Sequence, residues 1–374
     1  MQTLNTTTSI PLVNLKAQYD SIKPEIDAAI AAVINQTAFI GGTFVQKFEE
    51  EFARYCGVKT CVGVANGTDA LFIALKALGI GPGDEVITAA NSFVATSEAI
   101  KMAGAQVVFV DVDPETYLID VARIEEKVTS KTKAIIPVHL YGQPADMQAI
   151  RAIAKKHGLF IVGDAAQAHG AKDKGTPIAQ LADITAFSFY PGKNLGAYGD
   201  GGALVTDNEE WAAKARMFAN HGRTKKYDHD FEGVNSRLDG LQAAILSVKL
   251  RHLEQWTEGR RRVARRYSEL LKGVVGTPQE RADVRAVYHL YIVRVDAAKR
   301  EKLQAELAAN GVSTGIHYPI ALPYLNAYKY LGHTASDFPV SLKVSNEILS
   351  LPIYSELSDE EIQFVAEQVA NARR

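Results

Sequence analysis

Cysteine is almost missing from this chain: two of 374 residues, Cys56 and Cys61, with four residues between them. That rules out a disulfide framework. The spacing also lacks the close pairing and the second ligand pair of a zinc site, so no metal is expected. Two thiols without a framework suit a reducing compartment, and a cytoplasmic location is expected. No apolar run reaches the ~18 residues of a membrane-spanning helix, so no membrane partner is expected. The opening stretch MQTLNTTTSIPLV has neither a basic segment nor a long apolar core, which speaks against a secretory signal. An excess of one charge is missing too. Lys plus Arg number 41 against 43 Asp plus Glu, a formal net charge of -2, which gives no reason to expect nucleic acid as a partner. The basic run RRRVARR (260–266) is interrupted at helical spacing by Val263, Ala264 and Tyr267, and reads as the wet face of a helix.

What is present is an ordinary globular composition, 47% hydrophobic and 22% charged, in a chain long enough for two domains. Residues 1–14 form a polar N-terminal segment, expected to be loosely held. Residues 16–34 and 44–57 carry helical periodicity. From Thr60 strands and helices alternate. CVGVAN, DEVITAA, QVVFVDV, KAIIPVHL, LFIVGDA, ITAFSFY and GGALVT are read as strands. DALFIALKALG, VATSEAIKMAGA, a segment near 121–128 and DMQAIRAIAKKHG are read as helices. Short Val/Ile-rich strands between helices predict an α/β fold with a mostly parallel, seven-stranded-type sheet covered on both faces, over residues 15–240. Residues 241–374 predict a smaller α+β domain: a long helical region (241–271), the strand HLYIVRV, the helix REKLQAELAANG, and a terminal helix with Ser358 as N-cap.

In such sheets ligands bind beyond the carboxyl ends of the strands, and three segments fall there. In VANGTDAL (64–71) a strand turns into a helix. Its free N–H groups make an anion site, or else Thr68 or Asp69 simply caps the helix. In IVGDAAQAHG (161–170) Asp164 follows an apolar strand, and its carboxylate needs a partner such as a cationic ring nitrogen, an arginine or backbone N–H groups. His169 beside it reads equally as a packing residue. In FSFYPGKNLGAYGDGG (187–202) Lys193 stands among glycines and a proline. Phe187 and Asn194 exclude a P-loop. A lysine near apolar walls has a lowered pKa and can form a Schiff base, although an isolated lysine would read as a surface charge. Together, a phosphate cradle at Gly67 and Thr68, a carboxylate for a pyridinium nitrogen at Asp164, and a Schiff-base lysine at Lys193 are the parts that hold pyridoxal 5'-phosphate.

The same residues, with FIGG (39–42), GPGDEVI, the SFVAT segment, PVHLYGQPADM, DAAQAHGA, YGDGGA, NHGR, GVNSRLDGLQAA and IHYP, resemble the DegT/StrS-type sugar aminotransferases over nearly the whole chain. These are fold-type I pyridoxal phosphate enzymes. The resemblance implies that Lys193 bears the cofactor and moves the proton, and that Asp164 keeps the pyridine nitrogen protonated. It implies that Gln167 touches the ring hydroxyl, Phe93 stacks on the ring, and Gly67, Thr68 and Ser188 bind phosphate. By the same resemblance Asn235 reaches the phosphate of a neighbouring subunit's cofactor, so a homodimer with shared sites is expected. Helix capping with an Arg237–Asp239 surface pair is the alternative for that segment. Two positions depart from the family pattern: Gly163, where relatives usually carry glutamate, and Pro323, close to where many carry histidine.

The resemblance implies transfer of an amino group, from L-glutamate by analogy, to a nucleotide-linked keto-sugar. Pyridoxamine 5'-phosphate would be the form between half-reactions. C-3 of a dTDP-3-keto-6-deoxyhexose fits the motifs best. A UDP-3-keto-sugar of the N-acetylglucosaminuronate type comes second, and C-4 amination third. Tyr227, His229, His317 and Tyr318 are substrate contacts by motif position, or else interface residues. Among rivals, a sugar dehydratase of the same fold typically has histidine in place of Lys193. A regulator that kept the fold would not need Lys193, Asp164, Gln167 and Ser188 together. An enzyme acting on amino acids alone would want an arginine for the carboxylate, and Arg237 is a candidate.

Overall fold

The alternation of buried Val/Ile runs with helical stripes resolves, in the computed structural model, into one sheet enclosed by helices; residues 9–372 are described. The chain begins with α1 (Leu15–Asn35), α2 (Gly42–Cys56), β1 (Thr60–Val64), α3 (Gly67–Ala77) and β2 (Glu85–Ala89). It continues through α4 (Ala95–Met102), β3 (Gln106–Val110), β4 (Thr132–Ile136), α5 (Met147–His157) and β5 (Phe160–Asp164). Two short strands, β6 (Lys172–Asp173) and β7 (Thr176–Pro177), precede β8 (Ile184–Ser188), β9 (Gly202–Thr206) and α6 (Glu209–Phe218). A small hairpin, β10 (Arg223–Lys225) and β11 (Asp228–His229), leads to α7 (Gly240–Leu250) and α8 (Leu253–Leu270). The chain closes with β12 (Val284–Arg285), β13 (Tyr291–Arg294), α9 (Arg300–Ala309), α10 (Pro339–Glu347), β14 (Ile348–Leu351) and α11 (Asp359–Ala372).

The central sheet has seven strands in the order β1-β9-β8-β5-β4-β2-β3. From β8 to β3 all pairings are parallel, and β9 runs antiparallel to both its neighbours. One face is packed with α3 side chains such as Leu71, Ile73 and Leu75; the other takes Met147, Ile150 and Ala154 of α5. Burial on both faces is why these strands are apolar throughout rather than alternating.

Three readings change on contact with the structure. The segment 121–128 is not an α-helix but two 3₁₀ turns, Val121–Arg123 and Glu125–Lys127, because Ile124 is the one buried side chain there and no apolar stripe anchors a longer helix. The helical region 241–271 breaks at Arg251 and His252, both of which reach the Glu25 carboxylate on α1, at 2.6 and 2.9 Å. Within the polar N-terminal segment, residues 1–8 lie outside the described residues. Ile10, however, is buried: it pairs with Val312 and packs with Tyr267, Tyr291 and Leu349. The Ser358 cap is present and reciprocal, with Glu361 N–H donating to Ser358 Oγ at 3.2 Å and Ser358 N–H to Glu361 Oε2 at 2.8 Å. Among the described residues no helix is long and apolar enough to cross a membrane.

Candidate active site

β1, β2, β4, β5 and β8 all end at one edge of the sheet, and the three segments singled out in the sequence meet there. At the end of β1 the helix cap is Asn66, not Thr68 or Asp69: its Oδ1 accepts from Asp69 N–H at 2.8 Å. Gly67 and Thr68 therefore occupy the first turn of α3, and among the described residues neither N–H donates a hydrogen bond. Ser188, at the end of β8, lies against them. A Cβ on Gly67 would come 2.6 Å from Ser188 Cβ and 3.1 Å from its Oγ, so glycine is what allows this approach. Gly202 pairs with both Val64 and Ser188, and a Cβ there would fall 2.3 Å from Asn66 O. Two unused N–H groups at a helix N-terminus beside a hydroxyl suit a phosphate.

Asp164 ends β5 and is 5% exposed. Its Oδ2 accepts from Thr96 Oγ1 at 2.7 Å and its Oδ1 from Ala166 N–H at 3.2 Å. Ser92 Oγ lies 2.9 Å from Thr96 Oγ1; with the Thr96 hydrogen given to Asp164, Ser92 donates to Thr96. Burial pushes the carboxyl above its ordinary value, opposed by Thr96, the Ala166 N–H and the Lys193 charge. Gly163, one residue earlier, has no room for a larger side chain unless Thr185 moves, since a Cβ would press on Thr185 Oγ1 at 3.1 Å.

Lys193 lies in the loop that leaves β8 and returns as β9. The loop is closed by Phe189 N–H to Gly201 O at 2.7 Å and Lys193 N–H to Tyr190 O at 2.8 Å. The residue as a whole is half-buried with its amine enclosed, and burial lowers the amine to about 8 while Asp164 pulls it up. Its neighbour Asn194 is buried, with Nδ2 donating to Val287 O at 3.0 Å and Oδ1 3.3 Å from His289 Nδ1.

Gln167 is also at this edge: Oε1 accepts from Tyr141 N–H at 2.6 Å and Nε2 donates to Tyr318 Oη at 3.1 Å. Phe93 is 53% exposed, with its ring 5.6 Å from that of Tyr318. His317 hydrogen-bonds Ser350 Oγ at 2.7 Å, its carbonyl accepts from the Tyr141 hydroxyl, and burial with the Lys193 charge lowers its pKa. His169 packs its ring against Phe187 and Phe189 and is held neutral by burial, at about 3. Pro323 is buried in a turn whose Leu322 N–H bonds Ala90 O, at the end of β2.

Other expected residues are not joined to this group. Tyr227, 84% exposed, tips the β10–β11 hairpin with Lys226 Nζ 5.2 Å from its ring centroid, and His229 Nδ1 donates to His221 O. Neither has a hydrogen bond or ring contact with Asp164, Lys193 or Tyr318. Ser236 donates to Asp69 Oδ2 at 2.7 Å, which docks the NSRLD segment beside the start of α3 and leaves Asn235 exposed. Arg237 is half-buried. Thr96, Ser92 and Tyr141 carry no role in the sequence reading. The signal for the first two was a pair of hydroxyl residues four apart just past a strand. Two concavities lie elsewhere, one beside Tyr117 and Tyr288 and a groove of about 720 Å³ between Gly276 and Val369; neither is lined by Lys193 or Asp164.

Thus a phosphate cradle, a buried carboxylate lacking a full countercharge and an enclosed amine of depressed pKa share one edge, and this donor set fits pyridoxal phosphate.

The model of the DegT/DnrJ/EryC1/StrS aminotransferase family matches residues 20–370. A pleiotropic regulatory protein of Geobacillus stearothermophilus is 48% identical over 370 residues, 98% of this chain and 99% of that one. The dTDP-3-amino-3,4,6-trideoxy-alpha-D-glucose transaminase of Streptomyces venezuelae is 43% identical over 349 residues, 93% and 92% of the two chains. The UDP-2-acetamido-2-deoxy-3-oxo-D-glucuronate aminotransferase of Pseudomonas aeruginosa is 44% identical over 363 residues, 97% and 100%. The crystal structure of S. venezuelae DesV in complex with a ketimine intermediate superposes with a TM-score of 0.96 at 42% identity, covering 98% of this chain and all of that one. The chain belongs to the DegT/DnrJ/EryC1/StrS aminotransferase family.

Proposed function

We propose that this chain transfers an amino group from L-glutamate to C-3 of a nucleotide-linked keto-sugar, a dTDP-3-keto-6-deoxyhexose, using pyridoxal phosphate in a homodimer in the cytoplasm. The observation that carries the reading is that one edge of the sheet gathers the enclosed Lys193 amine, the buried Asp164 carboxylate whose charge it feels, and the free N–H groups of Gly67 and Thr68 beside Ser188. When bound, the cofactor supplies an electron sink for the pair left on a substrate carbon as its proton departs.

The chain's own residues do the rest. Lys193, with a depressed pKa, has a large neutral fraction near pH 8, so its Nζ can hold the cofactor covalently and later take and return the proton. Asp164, whose carboxyl oxygens accept from Thr96 Oγ1 and the Ala166 N–H, would pair with a protonated ring nitrogen, which would supply the countercharge its burial lacks. Gly67, Thr68 and Ser188 bind the phosphate. Phe93, whose ring is exposed beside Tyr318, would stack on the cofactor's ring, and Gln167, steadied by Tyr141 and Tyr318, would contact its hydroxyl. His317 and Tyr318 border the sugar from the same chain. Tyr227 and His229, which have no hydrogen bond or ring contact with their own chain's Lys193, Asp164 or Tyr318, and the exposed Asn235 serve a neighbouring subunit's site. The relatives named for dTDP- and UDP-linked 3-amino sugars both support C-3 as the aminated carbon. The UDP-linked 3-keto-sugar is the second reading, favoured by the relative of 44% identity that spans 97% of this chain.

An absorbance spectrum of the purified protein tests this directly. A yellow band that moves into the near ultraviolet on adding L-glutamate, and returns with a dTDP-3-keto-sugar but not its 4-keto isomer, is the expected result. Lys193→Ala should remove the yellow band and turnover while keeping the fold. Full activity without Lys193 would sink the reading, and return of the band only with the UDP-sugar would replace the substrate.

A further inference from the structure

The helix α7 carries one lysine in the mostly apolar run LQAAILSVKL, and Lys249 is fully buried. A buried amine is costly unless it satisfies something. Its Nζ donates to the Gly196 carbonyl, for which it is the donor among the described residues, and lies 5.0 Å from the centroid of the Tyr198 ring. Burial lowers the amine to about 7, with Glu356 pulling it up. Seven residues earlier on α7, Gln242 clasps the same loop, its Oε1 accepting from Tyr198 N–H at 2.8 Å. Gly196 itself is folded back on the start of the loop: a Cβ there would lie 2.2 Å from Pro191 O. The loop carrying Lys193 is thus held at Asn194, at Gly196 and at Tyr198, the last two by α7.

We propose that Lys249 is a positioning residue for Lys193: by anchoring the Gly196 carbonyl to α7, it sets where the Lys193 loop delivers its amine relative to Asp164. The proposal rests on the reading of Lys193 given above. Without the anchor the Gly196 acceptor is left buried and unpaired, and the loop gains freedom next to the reacting amine.

The test uses the full chain stripped of cofactor. Lys193 is reacted with limiting trinitrobenzenesulfonate across pH and followed by peptide mass mapping, beside kcat and KM of the loaded protein. In Lys249→Met, of similar length and without a donor, the Lys193 midpoint should move by about half a unit or more from its wild-type value. In the same variant kcat should fall about tenfold while KM for the amino donor changes little. Lys249→Gln, which restores an N–H donor, should recover part of both. A depressed wild-type midpoint that Lys249→Met leaves in place, with kcat intact, overturns this proposal alone. Recovery absent in Lys249→Gln overturns it as well, since packing would then explain the loss. A wild-type Lys193 that titrates with the exposed lysines overturns the reading of Lys193 and the proposal together. If Lys249→Met does not fold, Gln242→Leu removes the other clasp; a shift in the Lys193 midpoint supports the anchored loop and an unchanged one overturns it.

Discussion

At Asp164 burial and hydrogen bonding pull in opposite directions, and the balance sets a sign that can be measured. The folded-state carboxyl titrates above its ordinary value, so the folded state binds its proton more readily than the unfolded chain does. Below the unfolded value both states are protonated and no cost arises. As pH rises through the folded value, the cofactor-free protein must bury a charge that the unfolded chain keeps in water, and stability falls. Asp164→Asn keeps an acceptor for Thr96 and removes the charge. Denaturant unfolding of the cofactor-free variant should show it more stable than wild type at pH 7, with the difference vanishing toward acid pH, while cofactor retention is lost. A variant less stable at every pH would contradict this account. Asp164 was legible in the sequence because a carboxylate directly after an apolar strand is conspicuous. Thr96 was not, because its hydroxyl acts across 68 residues of chain and only the sheet edge brings the two together.

The strands and most helices follow from periodicity, and one departure from it has a distant cause. The run VSLKVS (340–345) alternates as a strand would, yet it belongs to α10. Its start is held by Asp111, whose carboxylate accepts from Val340 N–H, Ser341 N–H and Ser341 Oγ at 2.9, 2.8 and 2.6 Å. No window of sequence contains that cap. The meeting of β1, β8, β9 and α3 is equally non-local, and Gly202 lies at its centre. Gly202→Ala should drive a Cβ against the Asn66 carbonyl and push the start of α3 away from Ser188. A loss of about 1–3 kcal/mol of stability, read by denaturant unfolding, with weaker phosphate retention in a cofactor titration, is the expected outcome. Wild-type stability and retention would mean that the turn has slack.

At the scale of the whole molecule, the Tyr227 hairpin and Asn235 are exposed, and the proposed function has them serve a second subunit's site. Asn235→Ala and Lys193→Ala proteins, each expected to be inactive or depleted of cofactor, should recover activity on mixing. About a quarter of the sites in an equal mixture would hold both native residues. Verified heterodimers that stay inactive would remove the shared site. By itself the sequence determined the layered α/β plan, the mostly parallel direction of the strands and the place of Gly67, Asp164 and Lys193 at or beyond strand ends, because periodicity and strand-end position are local properties. Only the tertiary structure decided that Asn66 is the cap, that Ile10 joins a core built from residues 263–369, and that Lys249 holds the loop of Lys193. Those depend on which distant atoms come within hydrogen-bond or van der Waals reach, and that reach is set by packing rather than by order along the chain.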